Sequence, residues 1–367
     1  MKTPILTSLA ESLPSTVPFV GPETQERVRG RPFAARLGAN ECLFGPSPLA
    51  MAAMEAAAQD VWMYGDPECH DLKGAIAAHH GVAPGHVVVG EGIDGLLGLL
   101  VRLLVGPGDP VVTSAGAYPT FNFHVAGFGG ILHRAPYGGD FEDPEALVAL
   151  ARHTGARLIY LANPDNPMGS HHAAPVISAM VEALPEGCLL VLDEAYVELA
   201  PDGTAAQVAA DDPRVIRFRT FSKAYGMAGL RLGYALAAPD LARAFDKVRN
   251  HFGVGRIAQA AGIAALGDTA HLQAVRHWAE VGRQRLGQIA RANGLTPLPS
   301  ATNFVTIDCG RDGDHARALL NALIRRGIFV RMPGVAPLDR CIRVSIGDAP
   351  SMAAFAAALP LALADLA

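Results

Sequence analysis

The sequence has few of the features that mark secreted, metal-binding or nucleic-acid-binding proteins. Its 367 residues include only five cysteines, which are scattered and lack the paired spacing of a metal site. We therefore interpret them as small core residues of a protein from a reducing compartment. No basic run stands out, and 35 acidic against 30 basic residues give a net charge of −5. This balance argues against nucleic acid as a partner.

Long apolar runs are also missing. The N-terminal segment has no apolar core of signal-peptide length, and the apolar stretch 352–367 is short and contains Pro360. There is no repeat of fixed period and no low-complexity segment. These absences predict a cytoplasmic protein that does not bind membranes. With 50% hydrophobic and 18% charged residues, the chain is long enough to form two lobes around a large core.

Short apolar runs alternate with helical patterns over the first two thirds of the chain. The predicted strands are 86–89, 110–113, 157–161, 188–192, 215–218 and 232–235. The predicted helices between them are 92–104, 144–152 and 175–183. This alternation predicts an α/β fold with a large, mainly parallel sheet that is covered on both faces.

The pattern changes near residue 240. Two long amphipathic helices, predicted at 238–250 and 268–292, precede a β/α pattern and a last helix. We therefore predict a large domain over 45–240 and a smaller α+β domain over 241–367. The proline- and glycine-rich residues 1–44 are expected to form an arm that packs on the small domain or on a partner subunit.

In open α/β sheets, ligands bind beyond the carboxyl ends of the strands. After the predicted strand that ends at Val89, a glycine-rich turn carries Gly92, Ile93 and Asp94 into a helix. Backbone N–H groups at such a turn can bind a phosphate, although tight packing explains most turns of this kind.

Two further strand ends carry polar side chains. Asn166 lies in the rigid turn Asn-Pro-Asp-Asn-Pro-Met-Gly over 163–169, and Asp193 follows an apolar strand. A buried aspartate needs a cation or a hydrogen-bond donor. A neighbouring helix start and a protonated heterocyclic nitrogen would both meet that need.

The run 220–234 places Lys223 between small hydroxyl residues and a glycine-rich turn, with Arg231 eight positions further on. Small apolar flanks suit a lysine that forms a Schiff base, whereas most lysines simply lie on the surface. The run alone leaves both interpretations open. Four chemically useful turns at four strand ends are hard to attribute to chance.

Together these motifs resemble the fold-type I aminotransferases that depend on pyridoxal 5′-phosphate (PLP), in particular the histidinol-phosphate aminotransferase-like enzymes. The resemblance covers nearly the whole chain in order and spacing. The matching segments are LGANE (37–41), FGPSP (44–48), YGDP (64–67), NPDNPMG (163–169), DEAY (193–196), the lysine run (220–234) and IRVSIG (342–347).

The resemblance implies roles for the residues around the PLP ring. Lys223 would bind the cofactor covalently and then act as the base, and Asp193 would keep the pyridine nitrogen protonated. Asn166 and Tyr196 would donate to the phenolic oxygen. Tyr118 would stack on the ring, with an ordinary core aromatic as the alternative.

The resemblance also implies a binding site for the cofactor phosphate. That site would consist of the backbone of Gly92, Ile93 and Asp94 and the side chains of Thr220, Ser222 and Arg231. Tyr64 resembles the tyrosine that, in this family, reaches the phosphate of the neighbouring subunit. The resemblance therefore implies a homodimer with shared active sites. No metal ion is expected.

Substrate residues follow from the same resemblance. Arg343 matches an arginine that binds an α-carboxylate, with an ion-paired strand arginine as the alternative, and Asn40 and Asn303 are expected to line the same cleft. Arg331 and Arg343 would bind the distal phosphate of histidinol phosphate. Phe19 stands where these enzymes carry a tyrosine, which removes a charge-assisted hydrogen bond of about 1.5–3 kcal/mol.

The expected substrates are an amino donor and a 2-oxo acid acceptor. Gly95 and Met168 also differ from the usual residues of the family, so the identity of the donor stays open. One alternative is transamination of an aromatic or other amino acid, and another is decarboxylation of an amino acid phosphate. A non-catalytic PLP-binding regulator is disfavoured, because no helix-turn-helix pattern precedes Asn40.

Overall fold

The structure is a computed structural model that describes residues 5–15 and 20–366. Its N-terminal segment contains α1 (Ser8–Ser12), α2 (Pro22–Arg29) and the short strand β1 (Ala35–Arg36). β1 pairs in parallel with a strand near the other end of the chain, β11 (Ile328–Phe329). This pairing fixes the N-terminal segment against the C-terminal third of the protein.

A seven-stranded sheet has the order β2-β8-β7-β6-β5-β3-β4. Its strands are β2 (Val87–Gly90), β3 (Pro110–Ser114), β4 (Ile131–Ala135), β5 (Leu158–Ala162), β6 (Leu189–Asp193), β7 (Val215–Thr220) and β8 (Gly233–Leu236). β8 is antiparallel to its neighbours β2 and β7, and the other pairs are parallel. The predicted mainly parallel α/β sheet is confirmed.

Helices pack on both faces of this sheet because its central strands are apolar on both sides. The helices of this part are α3 (Pro48–Ala58), α4 (His70–His80), α5 (Gly92–Leu104), α6 (Thr120–Gly127), α7 (Pro144–Thr154), α8 (Ala174–Glu182) and α9 (Pro239–Ala244). On β6, Val191 packs in the cluster that contains α5, whereas Leu190 and Leu192 pack in the one that contains α7 and α8. Burial of each leucine side chain contributes about 1.5–3 kcal/mol to the stability of the folded protein.

The C-terminal third contains a three-stranded antiparallel sheet with the order β12-β10-β9. Its elements are α10 (Arg256–Gly267), α11 (Thr269–Ala292), β9 (Thr296–Pro297), β10 (Phe304–Asp308), α12 (Gly313–Arg325), β11, β12 (Cys341–Ser345) and α13 (Ala349–Ala364). The helix predicted at 238–250 is too long, since α9 ends at Ala244. Fully buried Phe245 begins a 3₁₀ turn there.

Candidate active site

A cavity of about 540 Å³ opens where β5, β6 and β7 end, and β12 forms part of its wall. Ala162, Asp193 and Thr220, the last residues of those three strands, all line it. Its volume lies within the range of roughly 300–1,000 Å³ that is typical of small-molecule sites. The cavity therefore lies at the sheet edge that the sequence indicated.

Most of the predicted site residues lie on the wall of this one cavity. They are Asn40, Ile93, Asp94, Tyr118, Asn166, Asp193, Tyr196, Thr220, Ser222, Lys223, Arg231, Arg331 and Arg343. Side chains that are up to 303 positions apart in the sequence are thus brought to one site, from Asn40 to Arg343.

Lys223 follows β7 and is half-buried. Its Nζ donates a hydrogen bond to the backbone oxygen of Asn40 at 3.1 Å and lies 5.6 Å from the centre of the Tyr196 ring. Burial, followed by the positive charge of Arg343, lowers the pKa of Lys223 to about 8. An appreciable fraction of its amine is therefore neutral and nucleophilic near neutral pH.

Asp193 is the last residue of β6 and is 6% exposed. It accepts hydrogen bonds from the Tyr160 hydroxyl at 2.7 Å and from the backbone N–H of Ala195 at 3.0 Å. Burial raises its pKa to about 6, so a cationic partner would stabilise its charged form. Sequence reasoning missed Tyr160, because its hydroxyl gives no signal within the apolar run 157–161.

Gly92 and Arg231 form an anion cradle at the start of α5. Gly92 has a φ of +78°, and a Cβ there would lie 2.7 Å from Arg231 Nη2. Ser222 Oγ accepts hydrogen bonds from Arg231 Nη1 at 3.5 Å and from Thr220 Oγ1 at 3.0 Å. The first N–H groups of a helix have no helical acceptors, so this cradle of donors fits a phosphate dianion.

Asn40 connects the N-terminal segment to the cavity wall. It is 2% exposed, has a φ of +55°, and donates from Nδ2 to the Tyr196 hydroxyl at 3.0 Å. Its Oδ1 accepts from Ser345 Oγ at 2.8 Å. Asn303 donates to the backbone oxygen of Asn40 at 3.0 Å and is fully buried behind it. The expectation that Asn303 lines the cleft is therefore wrong.

Arg343 lies in the middle of β12 and is 9% exposed. It donates to Asn166 Oδ1 and, at 2.9 Å, to the backbone oxygen of Gly38. Within the described residues it forms no ion pair, and its buried Nε has no hydrogen-bond partner. Burial lowers its pKa. The guanidinium therefore carries a buried charge that an anionic ligand in the cavity can neutralise.

Arg331 lies beside Arg343, since their backbones form two hydrogen bonds, of 2.6 and 3.2 Å. Its Nη2 donates to the backbone oxygen of Val20 at 3.0 Å. Phe19, the next residue toward the N-terminus, lies outside the described residues. Arg331, two residues after β11, and Arg343 in β12 thus contribute to one part of the cavity wall.

Besides Asn303, two predicted residues of the described part of the chain are absent from this wall. Gly92 lies behind the Arg231 side chain, consistent with a role for its backbone alone. Tyr64 is 77% exposed and packs on Phe252, with their ring centres 4.7 Å apart. The chain does not bring Tyr64 to its own cavity.

The described residues contain no cluster of histidine, cysteine or acidic side chains suited to a metal ion. Within the same residues, no helix is both long and apolar enough to cross a membrane.

The fold and the cavity define a class of α/β enzymes in which a lysine faces a ligand cavity at the carboxyl edge of the sheet. The family model for class I and II aminotransferases matches residues 35–359. The chain belongs to this family, as its motifs indicated.

Particular relatives are similar over nearly the whole chain. The chain is 40% identical to the histidinol-phosphate aminotransferase of Anaeromyxobacter sp. (strain Fw109-5), over 94% of this chain and 95% of that protein. It is 33% identical to the histidinol-phosphate aminotransferase of Moorella thermoacetica, over 92% of this chain and 88% of that protein. The crystal structure of histidinol-phosphate aminotransferase from Sinorhizobium meliloti in complex with PLP has 55% identity and a TM-score of 0.96, covering 99% of this chain and 98% of that one. The predicted fold-type I aminotransferase is confirmed.

Proposed function

We propose that this aminotransferase uses PLP to transfer the amino group of histidinol phosphate to a 2-oxo acid. The observation that carries the choice of donor is the pair Arg331 and Arg343 on the same cavity wall as Lys223. A donor with an amine at one end and a phosphate dianion at the other matches a nucleophilic lysine and two adjacent arginines. The names and identities of the relatives support the same donor.

The described residues fit the cofactor. The cradle of Gly92, Ile93, Asp94, Thr220, Ser222 and Arg231 would hold its phosphate, and buried Asp193 would pair with its protonated ring nitrogen. Asn166 and Tyr196 would donate to its ring oxygen, and Tyr118 would stack on the ring. When bound, PLP supplies an electron-withdrawing ring that acidifies the Cα–H bond of the donor.

Lys223 does the proton transfer in this proposal. Its amine, whose pKa is lowered to about 8 in the cavity, would take the proton from the donor Cα and return it to the cofactor carbon on the other side of the donor nitrogen. The hydrogen bond to the Asn40 carbonyl holds the amine on one side of the cavity. Asp193 remains ionised beside a cation, because an opposite charge lowers the pKa that burial has raised.

Donor and acceptor would share the two arginines. A 2-oxo acid carries a carboxylate that suits the Arg343 guanidinium, and histidinol phosphate would place its phosphate there and at Arg331. Phe19 removes one hydroxyl donor relative to the usual tyrosine, so the arginines carry more of the phosphate binding.

We also propose a homodimer whose active sites include Tyr64 of the partner. Large apolar side chains are exposed between residues 43 and 64 and at Phe252; the most exposed are Trp62 (79%), Tyr64 (77%) and Val61 (66%). A group of exposed apolar side chains such as this one is typical of an interaction surface. The five cysteines are buried and free, which supports a reducing, cytoplasmic location.

The proposed domain boundaries remain an arm over 1–44, a large domain over 45–240 and a small domain over 241–367. The separate seven-stranded and three-stranded sheets support the boundary near 240. Ala35, Leu37 and Cys42 of the arm belong to the hydrophobic cluster that contains α11, α12 and α13, which supports packing of the arm on the small domain.

A donor panel tests the function. The purified PLP-loaded protein is mixed with histidinol phosphate, glutamate or aromatic amino acids, and the absorbance change of the cofactor is followed in single-turnover experiments. We expect the ratio of the maximal single-turnover rate to the dissociation constant of the donor to be highest with histidinol phosphate. A higher value with an aromatic amino acid would contradict this donor, and release of carbon dioxide without the absorbance change would indicate decarboxylation.

A further inference from the structure

A pair of buried carboxyl groups lies beneath the cavity, outside the set of residues that hold the ligand. Glu142 is 1% exposed and Asp165 is 2% exposed. Their side chains are in hydrogen-bonding contact. Within the described residues, neither carboxyl group forms an ion pair with a lysine, arginine or histidine.

Glu142 connects two strands of the sheet at the edge where the cavity opens. Its Oε2 hydrogen-bonds with Ser114 Oγ at 2.5 Å, and Ser114 is the last residue of β3. Its Oε1 accepts from the backbone N–H of Ala162 at 3.0 Å, and Ala162 is the last residue of β5. The side chain therefore spans the ends of two neighbouring strands.

Asp165 closes the turn that carries Asn166. Its carboxylate accepts from the Tyr137 hydroxyl at 3.2 Å and from the backbone N–H of Met168 at 3.2 Å. Its backbone N–H donates to Ser170 at 2.8 Å, and its carbonyl oxygen accepts from Gly169 at 3.1 Å. The position of Asn166, which contacts Arg343, thus depends on the Asp165 side chain.

Two carboxylates that touch in a buried site cannot both be ionised, so a proton on one of them relieves their repulsion and forms a hydrogen bond to the other. The other titratable or charged groups that interact with the pair are Tyr137, Tyr160, Asp193, Arg343 and the ring of His172, which hydrogen-bonds with the Glu142 carbonyl oxygen. Arg343 is the cation of this set, and it forms no ion pair with either carboxyl. Burial raises the pKa of both groups, that of Asp165 to about 7.

We propose that Glu142 and Asp165 share a proton at neutral pH and that this protonated pair positions the Asn166 turn against Arg343. Both are positioning residues, since neither lines the cavity. Only the effect on turnover rests on the proposed function, because the proton itself belongs to the folded chain with or without a ligand.

The test for the proton needs no substrate. Infrared spectra of the apoenzyme at pH 7 should contain the C=O stretch of a protonated carboxyl. Glu142→Gln and Asp165→Asn should each remove or weaken it, because the new amide donates a hydrogen bond that stabilises the ionised form of the remaining carboxyl. Exposed Glu186→Gln makes the same chemical change elsewhere and should leave the band intact. Equal band intensity in the wild type and in both pair variants would overturn the proposal.

Thermal unfolding of the same apoproteins gives an independent readout. A group whose pKa is raised by folding binds more protons in the folded state, so stability falls as pH rises from about 4, the usual carboxyl value, through 7. We expect this fall to be smaller in Glu142→Gln than in the wild type or Glu186→Gln. Identical Tm–pH slopes for all three proteins would overturn the proposal, even if the donor panel confirmed the function.

The positioning role has its own measurement on the loaded enzyme. Glu142→Ala should lower kcat with the preferred donor by about 10²-fold, the loss that misplacement by about 1 Å can cause. Glu142→Gln keeps an acceptor for Ala162 and a donor for Asp165, so it should recover most of that loss. Equal losses in both variants would contradict the positioning role and leave the infrared result to decide the proton.

Discussion

The backbone oxygen of Asn40 accepts a hydrogen bond from Lys223 Nζ at 3.1 Å, although the two residues are 183 positions apart. Pairing of β1 with β11 brings Asn40 to the cavity, where its side chain also binds Tyr196 and Ser345. The N-terminal segment is thus part of the active-site wall, and the amine is oriented by the backbone rather than by an acidic side chain.

Removal of the lysine should greatly slow turnover. We expect Lys223→Ala to lower kcat by roughly 10³-fold, because a positioned acid or base contributes about 10²–10⁴-fold. Borohydride treatment followed by peptide mass spectrometry should find the cofactor attached to Lys223 in the wild type and unattached in the variant. Exposed Lys247→Ala is the control and should behave as the wild type. Attachment at another lysine would refute the assignment.

The rate at which PLP attaches covalently to the apoenzyme should rise with pH and level off above about 8. The neutral amine is the nucleophile, and the pKa of Lys223 is lowered from 10.5 to about 8. Because the charge of Arg343 contributes to that shift, Arg343→Met should move the midpoint of the profile to higher pH. A wild-type rate that kept rising toward pH 10.5 would contradict this.

Loss of the buried Arg343 guanidinium should weaken the binding of anionic substrates. We expect Arg343→Ala to lower kcat/KM by about 10–100-fold, which corresponds to one charge-assisted interaction of about 1.5–3 kcal/mol. Arg343→Lys should recover only part of the lost kcat/KM, since lysine lacks the planar set of N–H donors of a guanidinium. Surface Arg243→Ala is the control; a comparable loss there would mean that the effect is not specific to the cavity.

A methyl group at Gly92 should lower the affinity for PLP. The added Cβ would lie 2.7 Å from Arg231 Nη2 and displace the guanidinium from the anion cradle. Gly139 has a similar positive φ, +67°, but no atom within 4 Å of an added Cβ. Gly92→Ala and Gly139→Ala should therefore both lose about 1–3 kcal/mol of stability to backbone strain. Only the former should bind PLP more weakly in an absorbance titration.

Local patterns in the sequence were sufficient for the sheet and for much of the site. Apolar runs 157–161 and 188–192 predicted β5 and β6 to within about a residue at each end, because a strand buried on both faces reads as a continuous apolar run. Ile93, Asn166, Asp193 and Lys223 follow predicted strands, and parallel strands end at one edge of a sheet. Their meeting in one cavity is a consequence of that topology.

Other features have no local signal. No sequence pattern marks the end of α9, where fully buried Phe245 begins a 3₁₀ turn. Asn303 looks equivalent to Asn40 in sequence, but its side chain is buried behind Asn40. Tyr160 and Glu142 also appeared unremarkable in sequence, since hydrogen bonds between distant strand ends leave no pattern along the chain.

By itself, the sequence determined the α/β class, the aminotransferase family and the order of the strand ends that carry the lysine, the aspartate and the anion cradle. These properties follow from hydrophobic periodicity and from motifs that each lie within a few residues. Tertiary structure alone decided that the Asn40 carbonyl faces the lysine, that Arg331 lies beside Arg343, and that Glu142 touches Asp165. Those contacts join residues far apart in the chain, and the packing of the two sheets and the N-terminal segment sets their distances.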